Sequence, residues 1–475
     1  MRWRTNNEIL NANPHKSTEN EEPMGEIGKI VQAPEDLVAP VNVPAEAYVS
    51  PEYARAERDK LWRKVWLQAG RLEDIPEVGN YITYDIIDDS VIIVRSGPDE
   101  IRAFHNVCPH RGRKLVDIPE GKRNAHGTRP NFICGYHGWT FDLDGKNTYI
   151  EHQDDWQGHL CDGLADLGKV QVDTWGGWIW INLDPDCMPL AEYLQPAAQM
   201  LDPYGLEKMR PRWRKWIVFE CNWKVAMEAF CETYHVSTTH PEFMTFGQFR
   251  GWARNQGLHS NIGYDAPKGQ EEDSGKLRLG AGEDPRLTTA EMQNFTWQNA
   301  NTNTTMTLVS VANRLKDELP EGTPPAEVSA YWIKTAREED KARGVEWAQV
   351  DPQHTAQAGT AWQIFPNFQI GHAVNNMLCY QARPYGTDPD KCIFEAAVYE
   401  LWPEGEAPET EWEYTRPHEW PPVLQQDFNN MAAVQQGMKN VGFRGAQPNP
   451  YMERSVASLH MNLAKFMGTG APKTY

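Results

Sequence analysis

The chain has 475 residues, a formal net charge of −20 and a pI near 5.2, an acidic balance that argues against a nucleic-acid partner because phosphate binding wants a basic face. A 40% apolar content, with 19 Trp, 17 Tyr and 15 Phe, is ample for large cores and excludes a chain disordered as a whole. At this length two domains are expected. The first residues contain no apolar stretch of a signal peptide. No run reaches the ~18 apolar residues of a membrane span; the best candidate, Tyr81 to Val94, is broken by Asp85, Asp88 and Asp89. Eight cysteines in a chain this long are no disulfide framework, so a reducing, cytoplasmic setting is expected.

In chain order, residues 1–46 are polar, then punctuated by Pro34, Pro40 and Pro44, and read as an arm with little core. Ser50-Pro51 opens a helix over Glu52–Lys60, with Ser50 at the N-cap and Pro51 at the first position. Short β-branched or aromatic runs follow at Tyr81–Tyr84, Val91–Val94, Ile101–Phe104 and Trp178–Ile181, which predict a small all-β domain over residues 47–186. Asp184-Pro185-Asp186 marks its end. From 187 to 475 the pattern changes to a strand at Arg212–Glu220, a helix over Asn222–Thr233, strands at Thr360–Ile370, Val374–Arg383 and Cys392–Leu401, and a helix from Pro421 to about Met438. Strands and helices segregated in this way predict an α+β fold. Between 245 and 360 the pattern weakens into a polar tract, Gln298–Thr305, and an exposed helix over Glu327–Arg343. This insertion is a substrate-covering lid or a mobile decoration, with the lid preferred.

The most informative segments are Cys108-Pro-His110-Arg-Gly and Cys134-Gly-Tyr-His137-Gly-Trp, both inside the all-β domain. Two thiolates and two imidazoles on short loops suit a [2Fe–2S] cluster with both sulfurs on one iron and both histidines on the other, which raises its reduction potential. A structural zinc ion suits the same donors. The motif resembles that of Rieske proteins, with Gly112, Gly135, Gly138 and Trp139 where that motif has them. The 23 residues between His110 and Cys134 exceed the usual spacing, and the surplus is expected as a surface loop over Arg123–Pro130.

Glu232-Thr-Tyr-His235-Val-Ser-Thr-Thr-His240 supplies two further histidines, closed by Pro241. Two histidines and one carboxylate would leave iron positions open for O2 and substrate. The order of the Rieske motif, Asn222-Trp223-Lys224, the Glu232–His240 segment and a late helical Asp resembles the large (alpha) oxygenase subunit of Rieske non-haem iron oxygenases, of the aromatic-ring-hydroxylating dioxygenase superfamily. The resemblance covers roughly residues 47–245 and the helix near 427. It implies an N-terminal Rieske domain followed by a helix-grip catalytic domain, a cluster on Cys108, His110, Cys134 and His137, and mononuclear Fe(II) on His235, His240 and Asp427. Asp388, Asp390 and Glu404 are weaker candidates for the carboxylate. Glu232 falls where the family has an acidic residue linking metal centres of neighbouring subunits. The family more often has Asp there, and Glu occurs in branches that include those acting on quaternary ammonium compounds.

The resemblance further implies a ferredoxin or flavin reductase as electron donor, O2 as co-substrate, and a head-to-tail homotrimer with a possible small beta subunit. The chain has no GxGxxG and no flavin signature of its own. Arg111, Arg113, Lys114, Lys122, Arg123 and Arg129 make the cluster region locally basic, a candidate docking face for an acidic ferredoxin. Trp297, Trp332, Trp347, Trp362, Phe365 and Phe368 are candidates for an aromatic-lined pocket, suited to an aromatic or polycyclic substrate or to a cage for a methylated ammonium. Hydroxylation of the former is the preferred expectation and oxidative demethylation of the latter the alternative. A Rieske electron carrier with a ligand-binding domain and a zinc-stabilised binding protein are the readings from other classes.

Overall fold

The computed structural model describes residues 40–160, 163–246, 250–265 and 284–474. Most of the arm expected over 1–46 lies outside the described residues, as does Cys161. After β1 (Val41–Asn42), Ser50 caps the first substantial helix as its sequence implies: its Oγ accepts from the Tyr53 N–H at 3.1 Å, with Pro51 at the first position. The α-helix ends at Glu57 and passes into a wider π-type turn over Arg58–Trp62, where Leu61 and Trp62 are fully buried.

Strands β2 (Leu67–Arg71), β3 (Asn80–Ile86), β4 (Asp89–Gly97), β5 (Glu100–His105) and β6 (His126–Thr128) come next. Then β7 (Phe132–Ile133), β8 (Thr140–Phe141) and β9 (Asn147–Tyr149) form a small sheet of their own. The strands β10 (Lys169–Trp175) and β11 (Trp178–Asn182) complete a seven-stranded sheet in the order β2-β11-β10-β5-β4-β3-β6. The near-continuous apolar runs of β3 and β4 reflect burial on both faces. Ile82, Tyr84, Val91 and Ile93 enter the main core, while Tyr81, Ile92 and Val94 face a smaller core with Cys108, Cys134 and Trp139. The stretch Arg123–Pro130 is not the surface loop its composition suggests. It adds β6 to the edge of β3, and Arg123 and Ala125 are buried, because the Ala125 backbone bonds to Thr83 and the Arg123 guanidinium reaches Glu395.

The second part is an eight-stranded sheet of β12 (Arg210–Phe219), β13 (Arg250–Gln256), β14 (His259–Asp265), β15 (Ala361–Ile364), β16 (Phe368–His372), β17 (Asn376–Tyr385), β18 (Asp388–Glu400) and β19 (Trp412–Tyr414). Its order is β13-β14-β15-β16-β17-β18-β12-β19, antiparallel throughout except where β12 meets β19. The single strand expected over Thr360–Ile370 is two, separated at Phe365-Pro366-Asn367, where proline has no N–H for a ladder. The predicted helix over Asn222–Thr233 is helical only over Trp223–Glu228, with Asn222 as its cap, and the chain continues irregularly to a one-turn helix at Val236–Thr239.

Within 245–360, β13 and β14 widen the sheet, and helices Pro285–Phe295, Met306–Glu318 and Pro325–Ala342 follow. The last of these is amphipathic rather than exposed: Val328, Trp332, Ala336 and Asp340 are buried at four-residue spacing. The two large sheets share one core. Trp178 and Trp180 of β11 lie edge-on to Phe368 of β16 at 5.2 and 5.9 Å between centroids. Arg123 grips Glu395 of β18 in a fully buried bidentate pair, with Nη2 2.8 Å from Oε2. The described ends also meet: β1 pairs with β20 (Lys473–Thr474), and buried Tyr48 and His460 form a hydrogen-bonded group with half-buried Glu228, with Tyr48 Oη 2.9 Å from His460 Nε2.

Candidate metal centres

The first centre is built from two loops with the same backbone pattern. In one, the Cys108 N–H donates to Arg113 O at 2.8 Å and the Gly112 N–H to Cys108 O at 2.9 Å. In the other, the Cys134 N–H donates to Trp139 O at 2.8 Å and the Gly138 N–H to Cys134 O at 3.0 Å. Gly112 (φ +77°) and Gly138 (φ +72°) each take the left-handed conformation four residues after the cysteine, a turn that a side chain would strain. The two thiols are buried side by side and unpaired by any disulfide. Burial pushes the Cys108 thiol up to about 11, although the backbone N–H groups of His110 and Arg111 act to lower it.

The two imidazoles meet at 4.5 Å between centroids, and His110 stacks on Trp139 at 4.9 Å with planes 7° apart. His110 Nδ1 is buried with no hydrogen-bond partner, an arrangement costly to a polar atom unless something binds it. Two adjacent buried sulfurs and an orphaned ring nitrogen fit a [2Fe–2S] cluster with unequal ends.

The second centre is assembled from distant parts of the chain. His235 and His240 flank the one-turn helix Val236–Thr239, and Asp427 projects from the helix Pro422–Gly437. Their donor atoms all lie within 4.8 Å of one another: His240 Nε2 is 2.9 Å and His235 Nε2 3.6 Å from Asp427 Oδ1. Each histidine is held through its other nitrogen. Glu232 accepts at His235 Nδ1 and from the backbone N–H of Tyr234 and His235. Gln426 Oε1 lies 2.7 Å from His240 Nδ1, and its amide nitrogen donates to Glu242 at 3.2 Å. Because Glu242 only accepts, the Gln426 amide is fixed with its oxygen towards His240. Both Nδ1 atoms are thereby occupied as donors and both Nε2 atoms are left facing Asp427, the arrangement that histidine ligands of a metal require. Burial lowers the proton affinity of His235, but the Glu232 hydrogen bond and the charges of Glu232 and Asp427 outweigh it and hold its pKa above the ordinary value. Two histidines and a carboxylate on one side, with the other side open to a cavity, fit a mononuclear iron.

Residues 206–469 match the family model described as ring hydroxylating alpha subunit (catalytic domain), and residues 65–166 match the Rieske [2Fe-2S] domain. The chain belongs to the Rieske oxygenase large-subunit family. Membership carries with it a Rieske cluster and a mononuclear iron site.

Similar proteins include the glycine betaine monooxygenase oxygenase subunit of Chromohalobacter salexigens, 31% identical over 43% of this chain and 44% of the relative. The naphthalene 1,2-dioxygenase large oxygenase component of Pseudomonas putida is 34% identical over 44% of this chain and 46% of its own. The carnitine monooxygenase oxygenase subunit of Acinetobacter baumannii is 27% identical over 56% and 70%. The chain thus spans under half the length of the first two. Among solved structures, the quaternary ammonium Rieske monooxygenase with L-carnitine superposes with a TM-score of 0.60 at 18% identity, over 91% of this chain and 96% of that one. Naphthalene 1,2-dioxygenase from Rhodococcus sp. bound to indole gives 0.58 at 18%, over 91% and 95%. These likenesses show the α+β fold: a Rieske domain followed by a catalytic domain.

A cavity of about 430 Å³ adjoins His235, His240 and Asp427, lined on its apolar side by Phe230, Phe243, Ile262, Tyr264, Leu378 and Tyr380. None of the six aromatics singled out in the sequence lines it. Trp332 and Trp347 belong to the helical core of the insertion, and Trp362, Phe365 and Phe368 to the main core. Trp297 lies under the Arg212 guanidinium. Part of the insertion lines the cavity, through Met292, Thr296 and Thr302. The basic region at the cluster also changes on folding: Arg123 is buried against Glu395, Arg113 pairs with Asp117, and Lys114 reaches Asp85 at 3.3 Å. Arg111, Lys122 and Arg129 remain exposed or partly so. Of the alternative carboxylates, Asp390 is bound by Lys439 and Gln435, and Asp388 and Glu404 are outside the cavity lining. Sequence reasoning missed Gln426 and Glu242, whose only signal is their nearness to Asp427 and His240.

Proposed function

We propose that the chain is the terminal oxygenase of a Rieske system, with residues 47–186 carrying the cluster on Cys108, His110, Cys134 and His137 and residues 187–475 the iron on His235, His240 and Asp427. The observation that carries this reading is the convergence of two Nε2 atoms and a carboxylate oxygen beside a cavity of about 430 Å³, a volume suited to a small organic substrate. With metals bound, the cluster would pass single electrons and the iron would activate O2 next to the substrate. The chain's own residues set the stage for this. Glu232 and Gln426 keep both ligand rings in one tautomer and one orientation, and the apolar walls exclude bulk water from the face where O2 and substrate meet.

The preferred reaction is hydroxylation of a small, mostly apolar, aromatic or polycyclic substrate, supported by the Phe230, Phe243, Tyr264 and Tyr380 walls. Oxidative demethylation is the second reading, supported by Glu232 and by the likeness to the glycine betaine and carnitine enzymes. Electrons would come from a separate ferredoxin or flavin reductase. A homotrimer would bring the exposed cluster tip, where Tyr136 and His137 project, to a neighbour's iron.

The test is electron paramagnetic resonance of anaerobic, dithionite-reduced protein with iron and acid-labile sulfide counted on the same sample. A rhombic Rieske signal with about three irons per chain, two of them in the cluster, is expected. The same signal with about two irons would favour an electron carrier, and zinc with no signal would sink the reading. Formaldehyde release during turnover would move the assignment to demethylation.

A further inference from the structure

Tyr380 of β17 lines the cavity beside His235 and Asp427, and its ring stacks on Phe230 at 3.9 Å between centroids with planes 21° apart. The residue lies deep in the protein yet is only half-buried, so the surface it keeps faces the cavity. Its hydroxyl makes no hydrogen bond to any described residue and is not sealed off from water-sized molecules. Burial, and then the charge of Asp427, raise the pKa of this phenol well above its ordinary value, which keeps it a donor at neutral pH. On the side contributed by the insertion, Gln293 is 5% exposed, and its Oε1 accepts from the Thr304 hydroxyl at 2.5 Å. Its amide nitrogen, which can only donate, is left without a described partner and is likewise unsealed. The Thr296 hydroxyl is in the same condition, whereas Asn303, the other unpaired polar group of the lining, is exposed. Donors this deep are met by water or by a ligand. The described lining residues include no Lys or Arg.

We propose that the substrate is a neutral aromatic molecule bearing an acceptor oxygen, a ketone or an ether, which takes a hydrogen bond from the Tyr380 hydroxyl, with the Gln293 amide as a second donor. This rests on reading the cavity as the substrate chamber. A hydrocarbon would displace water from these donors and return no hydrogen bond. A carboxylate would find no cationic side chain among the described lining residues.

The test is calorimetric binding of 2-acetylnaphthalene, 2-isopropenylnaphthalene and 2-naphthoate to the purified holoprotein under nitrogen without reductant. The first two share one shape, with a CH2 group in place of the ketone oxygen. On apolar transfer alone the alkene binds better, because a carbonyl costs free energy to desolvate without a partner. The proposal expects the reverse, with the ketone about tenfold tighter than the alkene, and naphthoate weaker than the ketone. Tyr380→Phe, which removes only the hydroxyl, should abolish the preference and leave the alkene's affinity nearly unchanged; Gln293→Met should reduce the preference. The carbonyl stretch of the bound ketone, read by isotope-edited difference infrared, should lie at lower frequency in the wild type than in Tyr380→Phe. Equal affinities for ketone and alkene, tighter binding of the alkene or of naphthoate, a preference unchanged in Tyr380→Phe, or no binding of any probe would overturn it. A protein that prefers the ketone through Tyr380 yet holds no mononuclear iron and consumes no O2 would fail the oxygenase reading alone. One that holds iron and consumes O2 without this preference would fail the proposal alone.

Discussion

The two candidate metal centres are made by opposite means. Cys108, His110, Cys134 and His137 sit on a pair of short loops with matching hydrogen bonds and matching left-handed glycines, packed on a small core of their own and open to solvent at Tyr136 and His137. The second centre instead joins the His235–His240 pair, on either side of one short helical turn, to Asp427 of a distant helix, and each histidine is steadied by a different residue, Glu232 or Gln426. The loops hold a donor set by local backbone geometry, whereas the triad exists only once the eight-stranded sheet and its helices are in place. On the proposed function, the electron-passing site gains from being shallow and the site that must shield reactive chemistry gains from depth.

The largest expected effect separates them. His235→Ala should abolish mononuclear iron and turnover while leaving the cluster's visible absorbance intact, measured by iron analysis and spectroscopy on one sample. Loss of both would mean that the centres are not independent. Next, Arg123→Met should destabilise the whole chain by about 3 kcal/mol in chemical denaturation, because it leaves Glu395 buried with only Arg383 beside it, 3.3 Å away. Both metals should still bind under native conditions, since the pair joins the two sheets rather than either centre. Glu232→Gln should keep both metals and slow single turnover by about 10- to 100-fold. A wild-type rate would show that Glu232 does no more than hold its own turn. Gln426→Leu, which frees His240 Nδ1, should weaken iron affinity by about tenfold and leave the reduced-cluster spectrum unchanged.

A separate effect is in stability against pH. Burial pushes the pKa of His259 down to about 4, against the opposing pull of the Tyr193 carbonyl 2.7 Å from its Nε2, while Nδ1 accepts from the Phe365 N–H. Burial does the same to His372, also about 4. A folded pKa below the unfolded value of about 6.5 means that the unfolded chain takes up protons first. Their contribution is therefore full above pH ~6.5 and falls away towards pH 4. Denaturation measured across that window should show a loss that His259→Gln reduces.

The same contrast governs how much was legible in the sequence. The cluster loops announce themselves because ligands, glycines and Trp139 lie within a few residues of one another. The histidine pair was visible for the same reason, while Asp427 was found only through the family resemblance. Gln426 was invisible, since a glutamine on a helix carries no periodic signal and its partner His240 is distant in the chain. Composition misled in two places. Five of the six tryptophans and phenylalanines assigned to a pocket, all but Trp297, were drawn into the cores, where large apolar area is best buried. Arg123, counted as part of a basic surface, became the buried partner of Glu395. The insertion was underestimated because β13, β14 and four α-helices, the last Pro352–Ala358, share one segment, so neither period dominates over it.

The pairing of β1 with β20, and of Tyr48 with His460 and Glu228, has a consequence for the order of events during synthesis. Residues near the start of the described chain must wait for residues near its end. On the ribosome, the segment around Tyr48 emerges early but cannot take its final place until the helix Arg454–Met467 has followed. The cluster loops can close long before that. Closure of the cluster loops should thus precede closure of the part that holds His235, His240 and Asp427, with the last helix acting as the latch on that chamber.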